Sequence, residues 1–188
     1  MSVSADHLAQ LYAATDDPWN FRNSPYEQAK FAATRAALGR ARYRHGLELG
    51  CGNGALARHL APHCAAYTGV DAVARAVRAA QQTVPEGHFV QGWLPDDLPD
   101  GAFDLIVLSE ILYFLDPPGL TGLGQQISTR WPDAEILCVT WLGDTGHDLQ
   151  GPTALAIFAR ALGSAMALCP VTQAEGYRID RHLPGARS

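Results

Sequence analysis

From residue 43 to the end of the chain, short continuous apolar runs alternate with longer segments in which apolar residues recur every three or four positions. The first pattern marks buried strands and the second marks helices. Strands are expected over 44–49, 65–70, 88–91, 103–109 and 135–141, with helices over 55–60, 73–82, 120–131 and 152–168. The most hydrophobic strand is Phe103-Asp104-Leu105-Ile106-Val107-Leu108-Ser109. Apolar strands separated by helices require a parallel sheet covered on both faces. Segments 166–172 and 177–182, joined through Gln173-Ala174-Glu175-Gly176, read as a terminal hairpin supplying one antiparallel strand. The expected fold class is α/β, a seven-stranded, mostly parallel sheet with a C-terminal antiparallel hairpin and helices on both faces.

The first forty residues are patterned differently. Leu8, Leu11 and Tyr12 share helical spacing over 5–14, and the turn Asp16-Asp17-Pro18-Trp19-Asn20-Phe21 follows. Ser24-Pro25-Tyr26-Glu27 then marks a helix start. Ser24 can cap free backbone N–H groups, Pro25 suits the first turn, and Glu27 can reach back in a capping box. That helix should run to Leu38 and stop at Gly39. We expect residues 1–40 to form a helical lid and 41–188 one compact domain.

A chain of 188 residues with 47% apolar side chains suits one domain with one buried core. Fourteen Lys and Arg against nineteen Asp and Glu give a net charge of −5 with no basic stripe. Nucleic acid is therefore not an expected partner. The most apolar stretch, 154–168, is interrupted by Arg160 and falls short of the roughly 18 residues that cross a bilayer. The start, MSVSADHLAQ, has neither a basic stretch nor an apolar core of the export type, so a cytoplasmic protein without membrane association is expected. Cys51, Cys64, Cys138 and Cys169 form no C-x-x-C pair and have no histidine at ligand spacing. They are read as buried or glycine-loop thiols rather than as metal ligands or a disulfide framework.

The chemistry concentrates where the first strand ends, in Leu47-Glu48-Leu49-Gly50-Cys51-Gly52-Asn53-Gly54. In a parallel sheet this carboxyl end is where ligands bind. Gly50 and Gly52 let a ligand approach bare backbone, and Gly54 lets the following helix pack closely. The spacing is G-x-G-x-G, not the G-x-G-x-x-G of a dinucleotide site, and the Glu48 carboxylate would repel a diphosphate. It suits a cation such as an ammonium or a sulfonium. The second strand ends in Thr68-Gly69-Val70-Asp71. An acid about 20 residues beyond the glycines can accept hydrogen bonds from both hydroxyls of a ribose. A ribose joined to a positively charged amino-acid moiety describes S-adenosylmethionine.

Residues 48–54 resemble motif I of the class I S-adenosylmethionine-dependent methyltransferases, and Asp71 resembles their ribose-binding acid. This implies the Rossmann-like fold of that class. From about Leu11 to the end the chain resembles, more narrowly, the nodulation protein S family, N-methyltransferases of the amino sugar in a chitin-oligosaccharide signal. The likeness lies in Asp17-Pro18-Trp19, in Ser24-Pro25-Tyr26-Glu27-Gln28-Ala29-Lys30 and in Leu108-Ser109-Glu110-Ile111-Leu112-Tyr113-Phe114-Leu115. It implies that Trp19, Tyr26 and Lys30 cover the methionine end or shape the acceptor cleft. Cys51, Ala72, Trp93, Leu94 and Ser109 then line the cofactor site with Glu48, Gly50, Gly52, Asp71 and Glu110. After the third strand many relatives carry an acid for the adenine amino group, but this chain has Gln91-Gly92-Trp93-Leu94. Trp93 either stacks on adenine, leaving the amino group to backbone carbonyls, Asp96 or Asp97, or packs the sheet edge.

The methyl acceptor must sit beyond the fourth strand, at Ser109, Glu110 and Tyr113. An otherwise apolar strand has no packing reason to finish in Ser-Glu. Glu110 either orients an acceptor amine and takes its proton or opens a helical turn. The expected acceptor is a small molecule, an amine on a sugar or a related amine. A hydroxyl acceptor would need a stronger base. His147, in Gly143-Asp144-Thr145-Gly146-His147-Asp148, is the candidate, or else a loop histidine without a role. An O-methyltransferase of a small natural product and a non-catalytic cofactor-binding regulator are the alternatives. Arg178 either neutralises an acidic neighbour, holds an anionic substrate or lies on a solvated face.

Overall fold

The computed structural model describes residues 3–185. Two N-terminal helices, α1 (Ala5–Leu11) and α2 (Pro25–Ala36), precede alternating strands and helices. These are β1 (Tyr43–Leu49), α3 (Ala57–Leu60), β2 (Cys64–Asp71), α4 (Ala74–Thr83), β3 (His88–Gln91) and β4 (Leu105–Ser109). They continue with α5 (Pro117–Arg130), β5 (Glu135–Trp141), α6 (Gly151–Leu162), β6 (Cys169–Gln173) and β7 (Tyr177–His182). The strands form one seven-stranded sheet in the order β3-β2-β1-β4-β5-β7-β6. Strands β1 to β5 pair in parallel, and β7 runs antiparallel to both β5 and β6. The expected fold class is the one observed.

Successive strand residues point to opposite faces, so an apolar strand builds two cores. Ile106 and Leu108 of β4 pack on one face with Leu120, Leu123 and Ile127 of α5 and Leu155 and Phe158 of α6. Leu105 and Val107 pack on the other with Phe31 of α2, Ala57 and Leu60 of α3 and Ala80 of α4. Glu48 follows Leu47 in β1 and so faces the α2–α3–α4 side.

Several boundaries differ from the pattern reading. Helix α6 stops at Leu162 because Gly163 turns the backbone to φ 81°, and only a 3-10 turn, Ser164–Met166, follows before β6. Strand β4 begins at Leu105 rather than 103, because the Asp104 carboxylate accepts from the backbone N–H groups of Arg44 and His45. Asp116 caps α5 through the Gly119 N–H, starting that helix at Pro117. Helix α1 ends at Leu11, and α3 begins only at Ala57. The Ser24 hydroxyl accepts from the Glu27 N–H as expected, but the Glu27 side chain turns to Lys30, so only half of the capping box forms. Cys51 and Cys138 are buried and Cys64 is half-buried, while Cys169 lies exposed on edge strand β6, against the reading of all four as sheltered thiols.

Helix α2 is tied to the sheet at its far end. The Arg181 guanidinium of β7 donates to the Ala37 carbonyl at 2.7 Å, from 144 residues away. Glu135, buried in β5, accepts from the Gly39 N–H at 2.8 Å and the Tyr43 hydroxyl at 2.7 Å. On β7 itself Arg178 is bound to buried Asp180 at 2.7 Å, which selects the acidic-neighbour reading. No helix among the described residues is long and apolar enough to cross a membrane.

Candidate active site

The carboxyl ends of β1, β2, β3 and β4 open into a cavity of about 380 Å³, roofed by α1, α2 and the turn between them. Such a volume fits a small ligand. Its floor is the glycine loop. Gly50, Gly52 and Gly54 all have positive φ, at 78°, 52° and 78°. A Cβ at Gly50 would fall 2.7 Å from Ile111, and one at Gly54 would fall 2.9 Å from the Ala80 Cα of α4. Only glycine combines that backbone with that packing.

Asp71 at the tip of β2 joins the loop to the following turn. Its Oδ2 accepts from the Gly52 N–H and its Oδ1 from the Val73 N–H, each at 2.9 Å. Burial raises its pKa, and the two N–H groups oppose the rise. Each oxygen uses one lone pair in this way and keeps another, enough to accept two hydroxyls. Glu48 is buried against β2, where its Oε2 accepts from the Tyr67 hydroxyl at 2.8 Å. Burial pushes its carboxyl up to about 8, despite the phenol.

At the tip of β4, Glu110 has φ 54°, a left-handed conformation rare for a side chain of this kind. Its N–H donates to the Val139 carbonyl of β5 at 2.8 Å. Lys30 reaches down from α2 and donates to Glu110 Oε2 at 2.6 Å, with Glu27 Oε2 2.8 Å from the same Nζ. Lys30 is only 1% exposed. Burial would lower its pKa, but the two carboxylates outweigh burial and the net shift is upward. Glu110 is raised by burial, with Lys30 opposing. Its second oxygen, Oε1, is buried and has no hydrogen-bond partner among the described residues.

The cavity wall brings together most of the expected residues: Trp19, Glu48, Gly50, Cys51, Gly52, Asp71, Ala72, Trp93, Leu94, Ser109, Glu110 and Tyr113. Trp19 is exposed at the rim, stacked on Phe21 and edge-on to Tyr12. Two expected residues lie elsewhere. Tyr26 stands outside the wall, its ring centroid 5.6 Å from Lys30 Nζ and edge-on to Trp141 and Tyr177. His147 is not in the wall; its ring packs against those of the wall residues Tyr113 and Phe114. Asp96 and Asp97 are also absent from the wall, and Asp97 caps the Trp93 N–H at 2.8 Å. Tyr12, read as a helix-face residue, proves to be wall. Its carbonyl is held by Arg75, and its hydroxyl would lie 3.5 Å from a Cβ on Gly52. Glu27, Asp144 and Thr145 were likewise not foreseen in the wall.

The sequence model of the family described as Nodulation protein S (NodS) matches residues 4–119. A Nodulation protein S from Sinorhizobium fredii is 33% identical over 175 residues, covering 85% of this chain and 79% of the relative. One from Bradyrhizobium diazoefficiens is 30% identical over 208 aligned positions, covering 100% and 97%. Among solved structures, the N-methyltransferase NodS from Bradyrhizobium japonicum in complex with S-adenosyl-L-homocysteine superposes with a TM-score of 0.79. It is 25% identical, and the match covers 96% of this chain and 98% of that one. A structure described as a putative methyltransferase from Pseudomonas syringae gives a TM-score of 0.71 at 35% identity, covering 84% and 97%.

Proposed function

The chain belongs to the nodulation protein S family and is an S-adenosylmethionine-dependent methyltransferase; we propose that it methylates the nitrogen of a small amine, an amino sugar or a related amine, and that Glu110 faces that nitrogen. The observation carrying this reading is the unpartnered Glu110 Oε1, a buried acceptor placed beside a cavity at the tip of β4. An N–H of the acceptor supplies the missing donor.

The residues fit the cofactor. The bare loop at Gly50 and Gly52 admits it, Asp71 has lone pairs for two ribose hydroxyls, and Glu48 offers a carboxyl to the ammonium of the methionine end. The cofactor supplies a methyl on positively charged sulfur, and as the acceptor lone pair forms the C–N bond the C–S electron pair returns to sulfur. Alignment and exclusion of water dominate such a step, and good alignment is worth roughly 7–11 kcal/mol. Helices α1 and α2 with the turn between them act as the cover that excludes water.

The wall selects the acceptor by charge. Besides Glu48, whose carboxyl burial keeps largely protonated, it carries Glu27, Asp71, Glu110 and Asp144, against Lys30 as its one base among the described residues. A cation is welcome there and an anion is repelled. An alkylamine of pKa ~10.4 must lose its proton at about 4.6 kcal/mol at pH 7, whereas one near 7.7 needs only about 1 kcal/mol. Glu110 meets that modest demand by holding the nitrogen and accepting its proton. A hydroxyl would need a stronger base, and His147, the candidate for it, is not part of the cavity wall.

Mass spectrometry of reactions with free amino sugars and with their N-acetylated counterparts tests the reading. Methyl is expected on the free amine and not on the acetamide. Transfer confined to hydroxyl acceptors would overturn it.

A further inference from the structure

We propose that Lys30 is a positioning residue for methyl transfer: wedged between Glu27 and Glu110, its ammonium keeps the Glu110 carboxylate charged and turned so that Oε1 meets the acceptor nitrogen. The inference rests on the role given to Glu110 above and extends it to a residue of the cover. Three observations carry it. Lys30 is almost wholly buried, yet both carboxylates within its reach belong to the cavity wall. The 2.6 Å contact to Oε2 uses one carboxylate oxygen and leaves Oε1 unpartnered. Glu110 holds a left-handed backbone, and the contacts fixing its side chain come from α2, not from its own strand.

The chemistry follows from charge. A carboxylate withdrawn from water tends to take up a proton, and a protonated Glu110 could no longer accept one from an amine. The Lys30 ammonium opposes that uptake. Glu27, bearing the same charge as Glu110, favours it and also shares the ammonium. The remaining titratable neighbours are the Tyr26 ring beside Lys30 and the Tyr113 phenol, whose own pKa burial raises. Both phenols stay neutral near pH 7, so the balance lies between Lys30 and Glu27. Removing either should move the Glu110 titration, and the two removals should move it in opposite directions. A residue that merely packs the helix would not produce opposed shifts.

The test uses Lys30→Met, Lys30→Arg, Glu27→Gln and Glu110→Gln in the full chain. The Glu110 carboxyl is followed by ¹³C NMR in the S-adenosylhomocysteine complex, assigned by the resonance missing from Glu110→Gln. Lys30→Met should raise the Glu110 midpoint by about 1–3 pH units. It should lower kcat at pH 7 roughly tenfold or more, while the affinity for S-adenosylhomocysteine is retained. Lys30→Arg should restore most of both, and Glu27→Gln should lower the midpoint. Lys30→Met with unchanged midpoint and kcat overturns the proposal. If Lys30→Met does not fold, a Glu27→Gln midpoint that stays in place overturns it. Full turnover in Glu110→Gln would instead sink the role of Glu110 itself, whatever the titrations show.

Discussion

The Tyr67 hydroxyl lies 2.8 Å from Glu48 Oε2, and together they form a buried acid–phenol pair beneath the glycine loop. With its carboxyl pushed up to about 8 by burial, Glu48 is mostly protonated at pH 7 in the free protein. An ammonium brought beside it favours the charged form and drives the proton off. Calorimetry of S-adenosylhomocysteine binding at pH 7, in buffers of different ionisation enthalpy, should register release of up to one proton. Glu48→Gln should lose that release.

The same group sets a trend in stability. Glu48 ionises near 4.5 in the unfolded chain and about 8 in the folded one, so between those values the folded state holds a proton that the unfolded state lacks. Its contribution to stability is present below about 4.5 and is lost as pH rises towards 8. Urea titrations of the free protein at pH 5 and pH 8 should therefore show the wild type losing stability relative to Glu48→Gln as pH rises.

Asp71 is a second point of test. A charge-assisted hydrogen bond is worth about 1.5–3 kcal/mol, so loss of even one of the two proposed from Asp71 to a ribose should weaken binding by roughly 10- to 150-fold. Asp71→Ala also frees the Gly52 and Val73 N–H groups that shape the loop, so the upper end of that range is expected. Isothermal titration with S-adenosylhomocysteine gives the ratio directly.

Gly54→Ala separates folding from binding chemistry. The new methyl would meet the α4 backbone at Ala80 and sit on a residue with φ 78°. The left-handed backbone alone costs roughly 1–2 kcal/mol, and the close approach adds to it. The midpoint of urea denaturation should fall accordingly.

The architecture was legible because apolar strands must be buried on both faces, and β3, β5 and β7 begin and end where the pattern places them. The loop and Asp71 were legible because their spacing is local and each lies at a strand tip. What escaped were contacts made over distance. Lys30 and Glu110 are 80 residues apart in sequence, and nothing near either of them signals that α2 lays one upon the other. The same holds for Tyr12, whose helical spacing announces a packed residue but not what it packs upon. His147 illustrates the converse. Its place in a loop after β5 left proton transfer and no role equally open, and only the fold shows its ring packed on Tyr113 and Phe114, outside the cavity wall. Cap chemistry set several ends, as where Asp104 shortens β4 and Asp116 starts α5 early.

The Arg181 bond to the Ala37 carbonyl has a bearing on biosynthesis. Emerging from the ribosome, the nascent chain exposes the end of α2 well ahead, by 144 residues, of the arginine of β7 that binds it. A chain cut before β7 would therefore carry every residue of the cavity wall, and the Glu135 contacts to Gly39 and Tyr43, without the Arg181 bond at the end of α2.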